Sequence, residues 1–309
     1  MQLFFLTGLP KTGSTWLMNL LNEIPPLQCL GEGRFFASGL RHVPSLYDAT
    51  YAGIYQWGNY ISERKHNWLD DGSSITTIQR YNYISEKQKE NIAHELTRTT
   101  LRETISELMS KRAKATTHAM GDKTPTLHIE TLDRIQQTFP NARTILLQRG
   151  LYDFLASFIQ HFHRATRDRR PDAAFDIFSI EDFLCIEAYL NGQSELVVST
   201  PCLEHLIATW CRFQKRINEG STEQCLCVNY EELRADPVNK LADIVHFIDP
   251  KLKISGLDQI VNAWEFDSEN IKMPVNRAHV AARDIGYGHE FFNAATLKLI
   301  QHFHVIHSS

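Results

Sequence analysis

A glycine-containing turn after the first apolar segment has the residue types of a phosphate-binding loop. Gly8 and Gly13 have the spacing of the Gly-x-x-x-x-Gly-Lys-[Ser/Thr] loop that binds nucleotide phosphates. Ser14 occupies the place of the usual lysine, and Lys11 lies inside the loop instead. A lysine at that place points at the leaving-group side of a bound phosphate rather than along a triphosphate chain. This arrangement favours a nucleotide without a γ-phosphate.

A second candidate for anion binding follows another apolar segment. Residues 144–148 contain no charged side chain, Arg149 comes next, and Ser157 stands eight residues after the arginine. A guanidinium with a nearby hydroxyl is a suitable receptor for a phosphate monoester. The chain therefore offers two phosphate-binding segments, each at the end of a predicted strand.

The two segments together resemble motifs of the sulfotransferases that use 3′-phosphoadenosine-5′-phosphosulfate (PAPS). The first motif of that family reads roughly Pro-Lys-[Ser/Thr]-Gly-[Ser/Thr]-Thr-Trp-Leu, and residues 10–17 match it throughout. The second motif is an apolar strand, an arginine and a serine eight residues later, which the segment around Arg149 and Ser157 reproduces. The motifs have the usual order and about the usual separation, and the resemblance spans nearly the whole chain.

The resemblance implies how the first motif would contact the nucleotide. Lys11 would donate to the bridging oxygen of the leaving 5′-phosphate. Trp16 would lie beside the adenine, with packing in the core as the alternative. Amides and hydroxyls for the 5′-phosphate would come from Thr12, Gly13, Ser14 and Thr15.

The 3′-phosphate would be held by the second motif and by a segment near the end of the chain. Arg149 and Ser157 match the family pair, but Gly150 replaces the Asp of the usual Arg-Asp-Pro and predicts a looser turn. Arg277 and Arg283 lie where the family has an Arg-Lys-Gly loop over the 3′-phosphate, although neither segment copies that loop. We expect one of these two arginines to reach the nucleotide, and the sequence does not choose between them.

The acceptor of the sulfuryl group must lose a proton, which requires a nearby carboxylate or imidazole. In carbohydrate sulfotransferases a glutamate three residues before a Phe-Phe pair has this role, and Glu32 reproduces that arrangement. The small-molecule branch uses a histidine in a Lys-x-His segment, and His118 occupies that region without the pattern. Glu32 is the first choice, with a structural ion pair to Arg34 as its alternative. Lys123 resembles a second lysine that contacts the sulfonate in the carbohydrate branch.

Sulfuryl transfer of this kind requires no metal. A lysine and the N–H groups at a helix N-terminus can neutralise the leaving group. The two His-x-His pairs, which begin at His161 and His302, would fall on opposite helical faces and lack the spacing of metal ligands. We therefore expect PAPS as the cofactor, PAP as its product, and no metal site.

The composition indicates an ordinary globular protein. With 309 residues, 43% hydrophobic and 22% charged, the chain is long enough for one sizeable domain. A formal charge of −4 provides no bulk attraction to nucleic acid or membranes. The N-terminus has no leader-like segment and no apolar run reaches about 18 residues, so we expect a cytoplasmic protein. The six cysteines contain no C-x-x-C pair and are expected to be free thiols.

Alternating strands and helices predict an α/β fold, P-loop-like and three-layered, with a central parallel sheet flanked by helices. We predict a single domain over residues 1–309. The predicted strands are 2–7, 116–121, 143–148 and 226–230, and the predicted helices are 14–23, 87–112, 126–139, 151–163, 181–190, 202–218 and 238–248.

Residues 37–86 show no clear period and are rich in Tyr, Trp and Asp. A long irregular stretch inside a domain is usually functional, so we predict an insertion that binds the acceptor or covers it. Its composition suits an aromatic or cationic small molecule. The alternative is a lid whose aromatic side chains pack on the core.

The sequence thus predicts a PAPS-dependent sulfotransferase that forms an O- or N-sulfate on a small molecule, as in natural-product modification. Two other functions stay open. A small-molecule P-loop kinase would require Lys at position 14 and an Asp for Mg²⁺ at a strand end. A non-catalytic nucleotide-binding protein would have no use for Lys11 and Glu32 together. The oligomeric state is not predicted.

Overall fold

A parallel sheet of five strands forms the centre of the protein. The structure is a computed structural model that describes residues 1–37, 44–67, 85–169, 178–264 and 286–308. The strands are β1 (Gln2–Gly8), β2 (Leu27–Gly31), β3 (Ala119–Pro125), β4 (Arg143–Gln148) and β5 (Cys225–Asn229). Their order in the sheet is β2-β3-β1-β4-β5. The central strand β1 therefore pairs with β3 on one side and β4 on the other.

Helices cover both faces of this sheet. In the described residues they are α1 (Ser14–Asn22), α2 (Leu46–Asn67), α3 (Glu86–Arg112), α4 (Glu130–Thr138), α5 (Leu151–Arg169), α6 (Ile180–Leu190), α7 (Thr200–Asn218), α8 (Tyr230–Ala235), α9 (Pro237–Ile248), α10 (Leu257–Ala263), α11 (Tyr287–Phe291) and α12 (Ala294–Ser308). This arrangement confirms the predicted three-layer α/β fold with a central parallel sheet. In the described part of the chain, no helix combines the length and apolar character that crossing a membrane requires.

Alternation of side chains along the strands produces the two packed faces. In β1, Phe4 and Leu6 pack with α1 and α9, whereas Phe5 packs with α3 and α4. Each of these side chains is fully buried, and burying one of them contributes about 1.5–3 kcal/mol. On β4, Leu146 packs with α5 and α7. The sheet is thus fixed from both sides, while the carboxyl ends of its strands open into loops.

Predicted and observed elements differ at several places, and three of these differences concern β3, α4 and β2. The strand predicted at 116–121 lies at Ala119–Pro125, so Asp122 and Lys123 are in the strand rather than after it. The helix predicted at 126–139 begins at Glu130, because Thr126 turns the chain first through a bond from the His128 N–H to its hydroxyl. Strand β2 was not predicted, since a five-residue apolar segment beside two prolines shows little periodicity.

The segment 37–86 is not irregular throughout, as the sequence suggested. Residues Leu46–Asn67 form α2, while 38–43 and 68–84 lie outside the described residues. The α2 helix shows a weak amphipathic pattern in sequence because aromatic and charged residues alternate without a clear apolar stripe. Tyr47 on its first turn is buried against Phe36. The role of this segment in acceptor binding stays a prediction.

Candidate active site

The carboxyl ends of four strands bring the chemical groups of the chain to one edge of the sheet. The loop after β1 contains Lys11, Glu32 follows β2, Lys123 lies near the end of β3, and Arg149 follows β4. In open parallel sheets the ligand site lies at this edge. The edge is therefore the candidate active site.

The loop between β1 and α1 requires glycine at two positions. Gly8 has φ 136°, and a Cβ there would lie 2.1 Å from the Leu147 carbonyl oxygen. Gly13 has φ 92°, and its Cβ would lie 2.4 Å from the Tyr230 ring. Lys11 between them has φ 70°, a left-handed conformation that is uncommon for a residue with a side chain. Strained residues of this kind cluster at functional sites.

The N-terminus of α1 faces the inside of this loop. Gly13 is the N-cap residue, and no side chain caps the helix there. The first N–H groups of a helix have no acceptor within the helix, and the helix dipole makes this end attractive to anions. Thr12 stabilises the loop by donating its hydroxyl to the Leu9 carbonyl oxygen at 2.8 Å. The loop thus has the form of a phosphate cradle.

Lys123 connects this cradle to the candidate base. Its Nζ donates to Glu32 Oε1 at 2.7 Å and to Thr15 Oγ1 at 3.0 Å. The Glu32 N–H also donates to the Lys123 carbonyl oxygen at 3.0 Å. The lysine is buried, whereas the Glu32 side chain is 55% exposed. One ammonium group therefore holds a loop hydroxyl on one side and an accessible carboxylate on the other.

The segment that contains Glu32 is held in a strained conformation by Asp122. Glu32 and Arg34 have φ 50° and 52°, and Gly33 between them donates its N–H to Asp122 Oδ1 at 2.9 Å. Thr124 donates its hydroxyl to the other oxygen, Asp122 Oδ2, at 2.6 Å. Burial raises the pKa of Asp122 to about 6, and repulsion by Glu32 adds to this effect; its hydrogen bonds and Lys123 lower the pKa. The buried Asp122 carboxyl thus holds in place the segment that carries the exposed Glu32 carboxylate.

Arg149 lies in a separate part of the edge, between two aromatic rings. Its guanidinium is 4.5 Å from the centre of the Tyr230 ring and 5.3 Å from that of Tyr287. The residue is 3% exposed, and Ser157, on the next helix, is 2% exposed. A buried guanidinium between the end of a strand and the start of a helix is a strong receptor for a phosphate.

The turn after Arg149 is short and is bonded to a neighbouring element. The Gly150 N–H donates to Glu231 Oε1 at 2.7 Å, and α5 begins at the next residue. Glu231 is the second residue of α8, which follows β5, so a carboxylate from the neighbouring strand connection binds the start of α5.

The structure does not bring His118 to this edge. His118 precedes β3, where its N–H donates to the Pro26 carbonyl oxygen at 2.8 Å and its own carbonyl accepts from the Gln2 N–H at 3.0 Å. Five residues of strand separate it from Lys123, or about 16 Å at 3.3 Å per residue. His118 therefore lies at the opposite, amino-terminal edge of the sheet, where it cannot reach the group that Lys11 would serve.

Trp16 packs in the core. Its side chain is 2% exposed, and its ring lies 6.1 Å from the Tyr230 ring in an edge-to-face arrangement. This corresponds to the packing alternative, and contact with an adenine stays a prediction. Arg277 and Arg283 lie outside the described residues.

Two functional candidates were missed by the sequence analysis. Neither Asp122 nor Asp153 was predicted as a site residue. Asp153 stands four residues after Arg149 in the sequence, and its carboxylate lies 3.6 Å from the guanidinium. That spacing was the available signal, whereas nothing in the sequence paired Asp122 with Gly33.

Fold and site together define an α/β protein with a phosphate-binding loop in which Ser14 stands at the place of the lysine that binds a triphosphate. A family model described as "Sulfotransferase family" matches residues 4–253. The chain belongs to the Sulfotransferase family and is therefore a transferase of sulfuryl groups. Comparison with curated protein sequences finds no match.

Several solved structures are similar to this chain. Mouse sulfotransferase SULT7A1 complexed with PAP is 16% identical, with 98% of this chain and 83% of that chain covered and a TM-score of 0.49. The sulfotransferase domain of the Synechococcus PCC 7002 olefin synthase is 17% identical, with 98% and 94% covered and a TM-score of 0.46. A sulfotransferase from Alicyclobacillus acidocaldarius is 15% identical, with 94% and 99% covered and a TM-score of 0.42.

Proposed function

We propose that this protein transfers the sulfuryl group of PAPS to a hydroxyl, or to an amine or carbamoyl nitrogen, of a small molecule and releases PAP. The observation that carries the proposal is the buried Lys123, which contacts both Thr15 of the phosphate loop and the accessible Glu32. The contact joins a group suited to stabilise negative charge with a group suited to accept a proton.

The residues present fit the nucleotide. The left-handed loop and the uncapped N-terminus of α1 suit a 5′-phosphate, which Thr12, Gly13, Ser14 and Thr15 would hold. The buried Arg149 with Ser157 suits a second phosphate at some distance along the same edge. We further propose that Arg277 or Arg283 contributes to that second site. When bound, PAPS supplies an activated sulfuryl group whose leaving group is PAP.

Lys11 and Lys123 would stabilise the negative charge that develops during transfer. Lys11 stands in the loop on the leaving-group side, and its left-handed backbone fixes where the side chain begins. Lys123 is buried, so its charge is little screened by water and acts strongly on nearby oxygens. Preorganised donors of this kind usually provide the largest single contribution to catalysis. No metal is required in this proposal.

Glu32 would accept the proton of the attacking group. Its backbone is bonded to β3, its carboxylate is bonded to Lys123, and more than half of its side chain is open to solvent. The carboxylate is thus oriented on one side and accessible on the other, as a general base must be. His118 is not part of the proposal, because it lies at the other edge of the sheet.

We propose that the acceptor is a small molecule handled in the cytoplasm, as in natural-product modification. The tyrosines of α2 were expected to bind it if it is aromatic or cationic. Tyr55 instead donates to Glu86 at 2.8 Å, and the Tyr51 ring lies 4.4 Å from the His94 ring of α3. These contacts favour the alternative in which this segment is a lid that packs on α3, rather than an aromatic site for the acceptor.

Ligand-dependent melting of the intact chain tests the proposal. PAP should raise the melting temperature in the presence of EDTA, because the phosphate sites consist of side chains and backbone N–H groups. ATP with Mg²⁺ should raise it less, since Ser14 stands in the place of the triphosphate lysine. A larger shift with ATP and Mg²⁺ would favour the kinase. Screening acceptors with labelled PAPS then tests transfer, and binding of PAP without any transfer would favour a nucleotide-binding protein.

A further inference from the structure

Asp153 is a buried carboxylate that the proposed chemistry does not use. It lies in the first turn of α5 and is 4% exposed. Its Oδ1 accepts from the Gly288 N–H at 2.8 Å, and its Oδ2 accepts from the Gly286 N–H at 2.8 Å. Both oxygens are therefore committed to backbone groups that lie more than 130 residues further along the chain.

The segment that Asp153 binds fits closely against the start of α5. Gly286 has φ 90°, and a Cβ on Gly288 would lie 2.3 Å from the carbonyl carbon of Tyr152. The His289 ring lies 3.8 Å from the Tyr152 ring. Only a glycine at position 288 permits this approach. We call residues 286–291 the docked segment.

Asp153 and the docked segment both contact Arg149. The Asp153 Oδ2 lies 3.6 Å from a terminal nitrogen of the Arg149 guanidinium. Tyr287, between the two bonded glycines, places its ring 5.3 Å from that guanidinium, which also contacts Tyr230. Its hydroxyl donates to the Asp153 carbonyl oxygen at 3.3 Å. One carboxylate thus holds the arginine directly and also holds the ring that lies against it.

We propose that Asp153 is a positioning residue for the site of the nucleotide's 3′-phosphate. It acts through Arg149 and through the docked segment, and it does not touch the nucleotide. The inference rests on the proposed function, because it assumes that Arg149 binds the 3′-phosphate of PAPS. Discrimination between nucleotides with and without that phosphate then depends on Asp153.

Two effects of removing the carboxylate oppose each other. Asp153→Asn removes one negative charge beside Arg149, which by itself strengthens anion binding. The same change places an amide NH₂ against a backbone N–H, so one of the two bonds to the docked segment is lost and a buried donor is left without an acceptor. The second effect dominates, because a phosphate gains little from a guanidinium that has lost its fixed position.

Calorimetric titration with PAP and with AMP, which lacks the 3′-phosphate, tests this inference without any acceptor. The measured quantity is the ratio of the AMP to the PAP dissociation constant. In Asp153→Asn this ratio should fall by about tenfold, with the loss confined to PAP. Asp182→Asn is the matched control. Asp182 is 3% exposed and also accepts two backbone N–H groups, from Ser179 and Ser199. Its substitution should lower the melting temperature and leave the ratio unchanged.

Gly288→Ala approaches the same contact from the other side and serves if Asp153→Asn does not fold. The added Cβ displaces the docked segment while the carboxylate stays in place. Gly288→Ala should also reduce the ratio of the AMP to the PAP dissociation constant. The double variant with Asp153→Asn should show little further reduction of this ratio, because both changes break the same contact.

A ratio that stays at the wild-type value in a folded single variant would refute the inference, and so would tighter PAP binding in Asp153→Asn. A wild-type protein that binds AMP as well as PAP would refute the proposed function itself, and the inference with it.

Discussion

Replacing Asp122 by Asn should make the protein more stable at neutral pH. Asp122 is fully buried, and burial raises its pKa from an ordinary 3.8 to about 6. Above that pH the folded protein contains a desolvated carboxylate. An asparagine retains the hydrogen bonds, because its oxygen accepts from the Gly33 N–H and its NH₂ donates to the Thr124 hydroxyl.

The size of the effect follows from the pKa in the two states. Between about pH 4 and pH 6 the folded chain binds more protons at Asp122 than the unfolded chain does, so stability falls as the pH rises. The destabilisation is below about 1 kcal/mol at pH 4 and rises to about 3 kcal/mol at pH 8. Asp122→Asn should therefore gain nearly nothing at pH 4 and up to about 3 kcal/mol at pH 8.

Urea unfolding of both proteins from pH 4 to pH 8 measures this difference. Fluorescence and circular dichroism should give the same midpoint, which supports a two-state treatment. Asp243→Asn, at an exposed position on α9, is the control and should change stability little at any pH.

A stability difference between wild type and Asp122→Asn that does not vary with pH would refute the reasoning. It would mean that burial does not set the pKa of this carboxyl. A loss of stability at pH 8 would show that the charge itself, through Lys123, outweighs its desolvation. If the expected result is obtained, the Asp122 carboxylate lowers the stability of the protein and lies beside the candidate base Glu32. Functional sites often contain residues that lower stability in this way.

Three further outcomes test the site. Lys11→Ala should lower turnover by about 100-fold or more in a folded protein, because one donor to developing charge contributes about 3–4 kcal/mol. Normal activity of this variant would show that the loop only binds the nucleotide and that Lys11 has no catalytic role. Glu32→Gln should lower turnover by about 10²- to 10⁴-fold with PAP affinity unchanged, whereas His118→Ala should retain activity; the reverse pattern would exclude Glu32 as the base. Gly13→Ala should abolish PAP binding in calorimetry, because its Cβ would lie 2.4 Å from Tyr230, and normal binding would contradict the cradle.

The fold was largely predictable because its strands are short apolar runs followed by helices with clear periodicity. The same reasoning placed Lys11 and Arg149 at strand ends, and the structure brings their loops to one edge of the sheet. Parallel strands bring the loops at their carboxyl ends to the same edge of the sheet, so this prediction needs no information about individual contacts. The proton-accepting candidate Glu32 came from a resemblance to a motif, since a single glutamate in a loop has no physical signature of its own.

The parts that failed depend on tertiary contacts. The predicted strand ended at residue 121, so the sequence did not show that Asp122 and Lys123 lie inside β3. Gly121 is required in that strand because the Phe4 ring lies against it. Trp16 matched a motif, but it is buried in a cluster that includes Tyr230, more than 200 residues away. The contacts of Asp122 with Gly33 and of Asp153 with Gly288 are likewise invisible to local patterns.

The central position of β1 divides the candidate active site into two halves. Glu32 follows β2 and Lys123 lies in β3 on one side, whereas Arg149 follows β4 and Tyr230 follows β5 on the other. Only the loop after β1 serves both. Under the proposed function, the β4–β5 half holds the sulfuryl donor and the β2–β3 half carries the candidate base. Substitutions in the β2–β3 half can then change the acceptor while the donor half is retained. Because β2 and β3 precede β4 and β5 in the sequence, segments exchanged between relatives would best be joined between β3 and β4.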